Sequence, residues 1–163
     1  GGLEIQLLFY RGFRECKASR WTSDAAALRK TMTGVRCLAG RTQIGRVLPH
    51  VAKTAQDGRV DAAAFVRDMM EEAVDALGED AGRLGLLGVP VFLFQDGGDA
   101  AAARCFQHIA TLTGGAYAPL DDASADRLRA LLAGVAAYAA GGRAALEDYA
   151  RRAPAARLLL PSR

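Results

Sequence analysis

Two residues of this chain have side chains and sequence surroundings that suit a hard metal ion. Thr42 lies in the loop AGRTQIG (39–45), just before an apolar helical pattern, and Asp68 follows the apolar run VDAAAFVR (60–67). A carboxylate at the end of a buried strand is costly to desolvate unless it caps a helix or meets a cation. Magnesium prefers oxygen ligands and keeps several waters, so a hydroxyl and a carboxylate would suit it. The two residues therefore predict a divalent-cation site.

Both residues also have a purely structural interpretation. Threonine and aspartate are common N-cap residues, because their side-chain oxygens accept hydrogen bonds from the free N–H groups of a first helical turn. Thr42 would cap the helix predicted from about Gln43, and Asp68 the helix predicted from about Met70. If these two residues only cap helices, neither of them binds a ligand.

The loop before the first of these helices also allows a different ligand. The free N–H groups and the dipole at a helix N-terminus attract anions, so a phosphate or nucleotide could bind at 39–45. The loop lacks the Gly-Lys-Ser/Thr of a phosphate-binding loop. In either interpretation the other binding residues of this loop are Gly40, Arg41, Gln43 and Gly45.

The candidate residues belong to an alternating pattern of strands and helices. Strands are predicted at 3–10, 15–20, 60–68, 89–95 and 116–120, the first two as a hairpin. Helices are predicted at 25–33, 43–56, 70–77, 100–113, 124–140 and 143–151. Pro49 should kink or break the second helix. This order predicts an α/β fold, a doubly wound and mostly parallel sheet between two helical layers. Ligands bind such sheets beyond the carboxyl ends of the strands.

Composition excludes several classes of function. The net charge is only +3, with scattered arginines, so no basic face for nucleic acid is expected. No apolar run is long enough to span a membrane, and the first residues do not resemble a signal peptide. Cys16, Cys37 and Cys105 share no CxxC spacing, which predicts reduced thiols in the cytoplasm. No nucleophile–base pair or pair of convergent carboxylates is evident, so the chain is not expected to be an enzyme.

The order of elements and motifs along the chain is similar to that of one known family. This order is strand, hairpin, helix, G-R-T-Q-I-G, helix and an apolar strand ending in Asp, followed by VPVFLFQ and GGAYAPL. It resembles a von Willebrand factor type A domain of the bacterial cytosolic type. The resemblance implies a domain at 1–142, with a C-terminal helix and tail at 143–163. It implies that Thr42 and Asp68 are ligands of a metal-ion-dependent adhesion site that holds Mg²⁺ or Mn²⁺. The implied function is non-catalytic binding of a protein partner that presents an acidic residue to the ion.

One part of the family pattern is missing from this sequence. No Asp-x-Ser-x-Ser motif occurs, and no strand and helix precede Leu3. In the family's strand order, 3-2-1-4-5-6, the missing first strand would lie between the strands predicted at 3–10 and 60–67. Buried backbone groups left unpaired there would each cost about 1–3 kcal/mol. We therefore expect residues encoded upstream, or a second polypeptide segment, to supply that strand. The alternative is a scaffold whose metal site has decayed.

Overall fold

The computed structural model describes residues 8–11, 15–18, 21, 23, 44–58, 60–67, 74–96, 98–120 and 124–160. The chain divides into two compact units, Gly1–Arg41 and Thr42–Arg163. The first contains the antiparallel strands β1 (Leu8–Arg11) and β2 (Glu15–Ala18). The hairpin predicted from this segment is therefore confirmed. The helix predicted at 25–33 lies outside the described residues.

The second unit is built on a parallel sheet. Its strands are β3 (Ala63–Arg67), β4 (Val91–Asp96) and β5 (Ala116–Leu120), hydrogen-bonded in that order. Each pair is parallel, and a helix connects each strand to the next. This confirms the predicted α/β fold with an open parallel sheet flanked by helices. Among the described residues, β3 has a strand neighbour on one side only.

In the part of the second unit that the structure describes, four α-helices and a short 3₁₀ helix accompany the sheet. They are α1 (Ile44–Asp57), α2 (Val74–Leu86), α3 (Ala100–Thr113), α4 (Ser124–Arg152) and the 3₁₀ helix Pro154–Leu159. Helix α2 packs between α1 and α3, and α3 also contacts β4 and β5. None of the helices in the described ranges has both the length and the apolar character of a membrane span.

The two faces of the sheet carry separate cores, because side chains alternate between the faces along each strand. On one face Phe65 of β3 meets Phe106 of α3 edge-on, with 5.9 Å between the ring centroids. The other face packs against α4 and the 3₁₀ helix in a buried cluster that includes Phe92, Phe94, Ala118, Leu131, Leu146 and Leu159. Helices on both faces of one sheet make three layers.

Helix α2 differs from its prediction. The sequence predicts a helix at 70–77 followed by a stretch interrupted by glycines, but α2 covers Val74–Leu86 and includes those glycines. At Gly85 a Cβ atom would lie 2.3 Å from the carbonyl oxygen of Leu112. The absence of a side chain there lets α2 approach the end of α3. This glycine serves helix packing and does not end the helix.

The sequence predicts a kink or a break at Pro49. The break does not occur, and the kink stays a prediction. Helix α1 continues across Pro49 from Ile44 to Asp57. Proline lacks the N–H that would bond to the carbonyl four residues earlier, which here belongs to Gly45. The missing hydrogen bond therefore lies in the first turns of the helix. Leu48, Val51 and Ala52, which lie close to Pro49 in the same helix, are buried. Burial of these side chains stabilises the helix despite the missing bond.

The C-terminal residues fold back onto the sheet. Helix α4 is interrupted at Gly142, whose φ of 72° and ψ of −162° are not helical. Positive φ is a conformation that glycine adopts without steric cost. Beyond this residue, Leu146, Ala150 and Leu159 join the cluster that covers Phe92. A domain boundary at residue 142 stays a prediction.

Candidate functional site

The candidate site is the carboxyl edge of the parallel sheet, where β3, β4 and β5 end. Arg67 is paired with Gln95, so β3 and β4 end side by side. Helix α2 follows β3 and α3 follows β4, so both begin from this edge. Parallel α/β sheets bind their ligands beyond this edge, because helix N-termini and the loops between strands and helices converge there.

The residues predicted from the sequence lie mostly beyond what the structure describes. Gly45 is the second residue of α1, which begins at Ile44. Gly40, Arg41, Thr42, Gln43 and Asp68 lie outside the described residues. The proximity of Thr42 and Asp68 therefore stays a prediction. The described ranges contain no group of three or more His, Cys, Asp or Glu residues able to hold a metal ion.

A buried amide connects three elements at the carboxyl edge. Gln95, at 1% exposure, is one of the few buried polar residues among those described. Its Nε2 donates to the backbone oxygen of Asp99 at 2.9 Å, and its Oε1 accepts from the Tyr117 hydroxyl at 2.6 Å. A buried amide must find such partners, since an unsatisfied polar group costs the full desolvation penalty. Gln95 therefore ties the end of β4 to β5 and to the start of α3.

Asp99 is the N-cap of α3. Its φ of −68° and ψ of 112° are extended, and its Oδ1 accepts from the N–H of Ala101 at 3.0 Å. Its backbone oxygen accepts from the N–H of Ala103 at 3.0 Å in addition to the Gln95 amide. Both the carboxylate and the carbonyl of Asp99 are thus engaged in holding the loop against the helix.

Tyr117 supplies a hydroxyl donor to this edge. Partial burial raises the pKa of Tyr117 above its ordinary value, because desolvation disfavours the phenolate. The proton is therefore retained at neutral pH, which the hydrogen bond donated to Gln95 requires. Tyr117 holds the neighbouring Gln95 side chain through this hydrogen bond.

The sequence gives only a weak indication of the Gln95–Tyr117 pair. Gln95 is the single polar residue of the apolar run VPVFLFQ, which it ends. Tyr117 lies opposite Leu93 in the sheet register, while Gln95 lies opposite Pro119. The two side chains therefore meet along the diagonal between strands. A diagonal contact depends on how β4 and β5 are aligned with each other. The composition of a five-residue strand does not determine that alignment.

The opposite, amino edge of this sheet is closed by tight packing. The Thr113 hydroxyl accepts from the N–H of Val91 at 3.0 Å. A Cβ atom at Gly115 would lie 1.9 Å from the carbonyl oxygen of Val91, so only glycine fits there. Gly114 caps α3 with a φ of 77°, which confirms the predicted end of that helix. Glycine and backbone contacts at this edge favour a structural role for it.

His50, His108 and Cys105 lie on other parts of the second unit. His50 lies within α1, and its backbone oxygen accepts from the Thr54 hydroxyl at 2.8 Å. His108 is exposed on α3, and Cys105 is buried on the same helix.

The chain matches no protein-family model, no curated protein and no solved structure. Its function is therefore argued from its own residues.

Proposed function

We propose that this chain is a non-catalytic protein-binding module of the von Willebrand factor type A kind. It holds Mg²⁺ or Mn²⁺ at the carboxyl edge of its sheet and binds an acidic residue of a protein partner through that ion. The observation that carries the proposal is the packing of α1 against α2, since these helices follow the two candidate loops.

The placement of the two loops follows from chain geometry. Helix α2 begins from the carboxyl edge because it follows β3 and leads back to β4. Helix α1 has 14 residues and is therefore about 21 Å long. Its last residue is joined to β3 by residues 58–62 only, so α1 ends near the amino edge of the sheet. A helix that packs along α2 and ends there should begin near the carboxyl edge, which would bring Thr42 close to Asp68.

The chemistry of these two residues supports an ion that keeps open positions. A threonine hydroxyl and one carboxylate are hard oxygen ligands, and Mg²⁺ retains several waters when the protein supplies few ligands. One carboxylate leaves the site with net positive charge. An acidic side chain of a partner can replace a water and complete the coordination with favourable charge. The cysteine spacing fits a reducing compartment, so we place the module in a bacterial cytoplasm.

The edge of β3 on which the described residues place no strand supports a further part of the proposal, a strand from another polypeptide segment. The N–H of Ala63 donates to Pro90 at 3.0 Å, so the backbone groups of Ala63 point toward β4. Those of Ala64 point the opposite way, because strand residues alternate in direction. Ala64 is exposed, and no described strand lies on its side of β3. An added strand would pair there, beside the proposed ion site.

Thermal unfolding with Mg²⁺ or Mn²⁺ tests the ion. Binding to the folded state alone should stabilise the chain by about 2.7 kcal/mol when the free ion is about 100 times its Kd. Asp68→Ala should remove this stabilisation. Asp57→Ala is the matched control, since Asp57 is exposed at the other end of α1 and should leave the response unchanged. An unchanged response in Asp68→Ala, or none in the parent chain, would refute the proposed ion site.

The same experiment distinguishes the anion-binding alternative. Helix α1 begins at Ile44, directly after the loop whose free N–H groups would bind a phosphate. Stabilisation by phosphate or ATP without a divalent ion would favour that alternative. A chain that responds to neither ligand would be a scaffold with a decayed site.

A further inference from the structure

We infer that a second copy of this chain supplies the strand that pairs with β3, so that two three-stranded sheets join through antiparallel β3 strands. This inference rests on the added strand of the proposed function and is independent of the ion. The described residues place β4 on one side of β3 and no strand on the other. The backbone groups of Ala64 and Val66 point to that other side, because those of Ala63 point toward β4.

The two outer edges of the described sheet differ in their ability to accept a strand. Strand β5 forms the edge opposite to β3, and it carries the exposed Pro119. Proline has no N–H to donate, and natural sheets use it to prevent pairing at an edge. Strand β3 contains no proline, and its outward residue Ala64 is small and exposed. Of these two edges, that of β3 is therefore suited to a further strand.

The sequence around β3 is complementary to an antiparallel copy of itself. A two-fold axis beside Ala64 places this residue opposite its own equivalent, so that the two copies exchange N–H and C=O bonds there. Every other residue then faces the one at an equal distance on the far side of Ala64. Ala63 faces Phe65 of the second copy, so a small side chain lies opposite a large one.

Pairing that continues two residues before β3 also brings opposite charges together. Asp61 lies three residues before Ala64, and Arg67 lies three residues after it. Each therefore faces the other in the second copy, once at either end of the paired segment. Cross-strand pairs of opposite charge stabilise a sheet, and like charges in these positions destabilise it. A register shifted by two residues loses both charge pairs, so charge complementarity favours the axis beside Ala64.

The same register covers apolar surface at the edge of β3. Phe65 packs edge-on against Phe106 of its own chain but is only half-buried. Ala63 and Phe65 of the second copy form a non-hydrogen-bonded pair, in which the Cα atoms of the two strands lie about 4.5 Å apart. At this distance the methyl group of Ala63 contacts the phenylalanine ring. Burial of that surface adds to the backbone hydrogen bonds in favour of the dimer.

Sedimentation velocity of the full chain over a series of concentrations tests this inference. The parent chain should pass from one mass to twice that mass as the concentration rises. Ala64→Pro removes an N–H that the second copy would bond and should keep the chain monomeric. Its effect on the β3–β4 ladder should be small, because this N–H points away from β4. Ala64→Ser is the matched control, since it keeps the N–H and a small side chain and should dimerise like the parent.

The charge pairs give a second test that does not depend on proline. Arg67→Glu places an acid opposite Asp61 of the second copy at both ends and should raise the Kd of the dimer about tenfold. Asp61→Arg combined with Arg67→Glu exchanges the two charges and should restore most of the parent affinity. Circular dichroism of each variant reports any loss of fold separately. Hydrogen exchange at Ala64 should be fast where the parent is monomeric and slow where it is dimeric.

The outcomes separate the inference from the proposed function. A dimeric parent and Ala64→Ser beside a folded, monomeric Ala64→Pro support the inference, as does recovery of affinity when the charges are exchanged. A parent that is monomeric at every concentration overturns it and leaves the ion site, and a strand from a different protein, standing. A dimer that persists in folded Ala64→Pro, or an equal loss in Ala64→Ser, also overturns it. If Ala64→Pro does not fold, failure of the exchanged charges to restore affinity overturns it. A dimer that responds to neither Mg²⁺ nor Mn²⁺ supports the pairing and refutes the ion alone.

Discussion

At the scale of single residues, the hydrogen bond from Tyr117 to Gln95 makes the protonation of one phenol part of the folded state. The hydroxyl must keep its proton to donate to Oε1 at 2.6 Å. Burial raises the pKa of Tyr117 in the folded chain, whereas the unfolded chain ionises near the ordinary value of about 10. The folded state therefore holds the proton more tightly than the unfolded state.

This difference predicts how stability depends on pH at the alkaline end. The contribution of Tyr117 is fully present below about pH 10 and is lost as the pH rises from there through the higher folded pKa, because the unfolded state releases its proton first. Urea unfolding between about pH 8 and pH 11, for the parent chain and for Tyr117→Phe, measures it. The parent should lose more stability over this range. An equal loss of stability in the parent chain and in Tyr117→Phe would show that Tyr117 has the same pKa in the folded and unfolded states.

At the scale of elements, strand β3 has two unlike edges. The N–H of Ala63 is bonded to Pro90, and the register continues this pattern to Phe65. The N–H groups of Ala64 and Val66 point away from β4, toward the side where the described residues place no strand. If no further segment pairs with this second edge, its N–H groups are accessible to water.

Hydrogen exchange should therefore alternate along β3. In the isolated chain we expect slow exchange at Ala63 and Phe65 and fast exchange at Ala64 and Val66, measured residue by residue by NMR. Strand β4 is the internal control, because it is paired on both sides and should not alternate. Slow exchange at Ala64 would mean that a segment already pairs with the open edge. If an added partner protein slows hydrogen exchange only at Ala64 and Val66, the partner supplies a strand that pairs with this edge of β3.

The elements also show what the sequence can predict. Strand β5 at Ala116–Leu120 and helix α3 at Ala100–Thr113 have the predicted bounds, because clear caps and glycines flank them. Helix α2 was predicted too short, since Gly85 is explained only by the neighbouring carbonyl of Leu112. The Gln95–Tyr117 contact likewise depends on register. Local signals such as caps and glycines predict where elements end. Contacts between residues distant in the sequence decide whether a glycine fits within a helix or a polar side chain finds a partner.

At the scale of the whole molecule, the last described residues complete the core of the second unit. Leu159 is 2% exposed and belongs to the cluster on the α4 face of the sheet. A Cβ atom at Gly134, on α4, would lie only 2.6 Å from Cδ1 of Leu159. The 3₁₀ helix therefore packs directly against α4. The neighbouring Leu158 is 40% exposed.

These two leucines give a matched pair of truncations. Leu159→Ala should lower the free energy of unfolding by about 2–5 kcal/mol, because it leaves a cavity between the 3₁₀ helix and α4. Leu158→Ala should change it by less than about 0.5 kcal/mol, as expected for surface positions. Urea unfolding of both variants measures the difference. Similar small effects at the two positions would mean that the C-terminal segment contributes little to the folded unit.

The return of the chain after Gly142 also has a consequence for biosynthesis. Leu146, Ala150 and Leu159 cover the sheet face that carries Phe92 and Phe94, and they are synthesised more than fifty residues after these two phenylalanines. During translation the three strands can pair while one apolar face stays exposed to water, and such surfaces are sticky in a crowded cell. Packing on this face of the sheet is therefore complete only after the C-terminal segment has been synthesised.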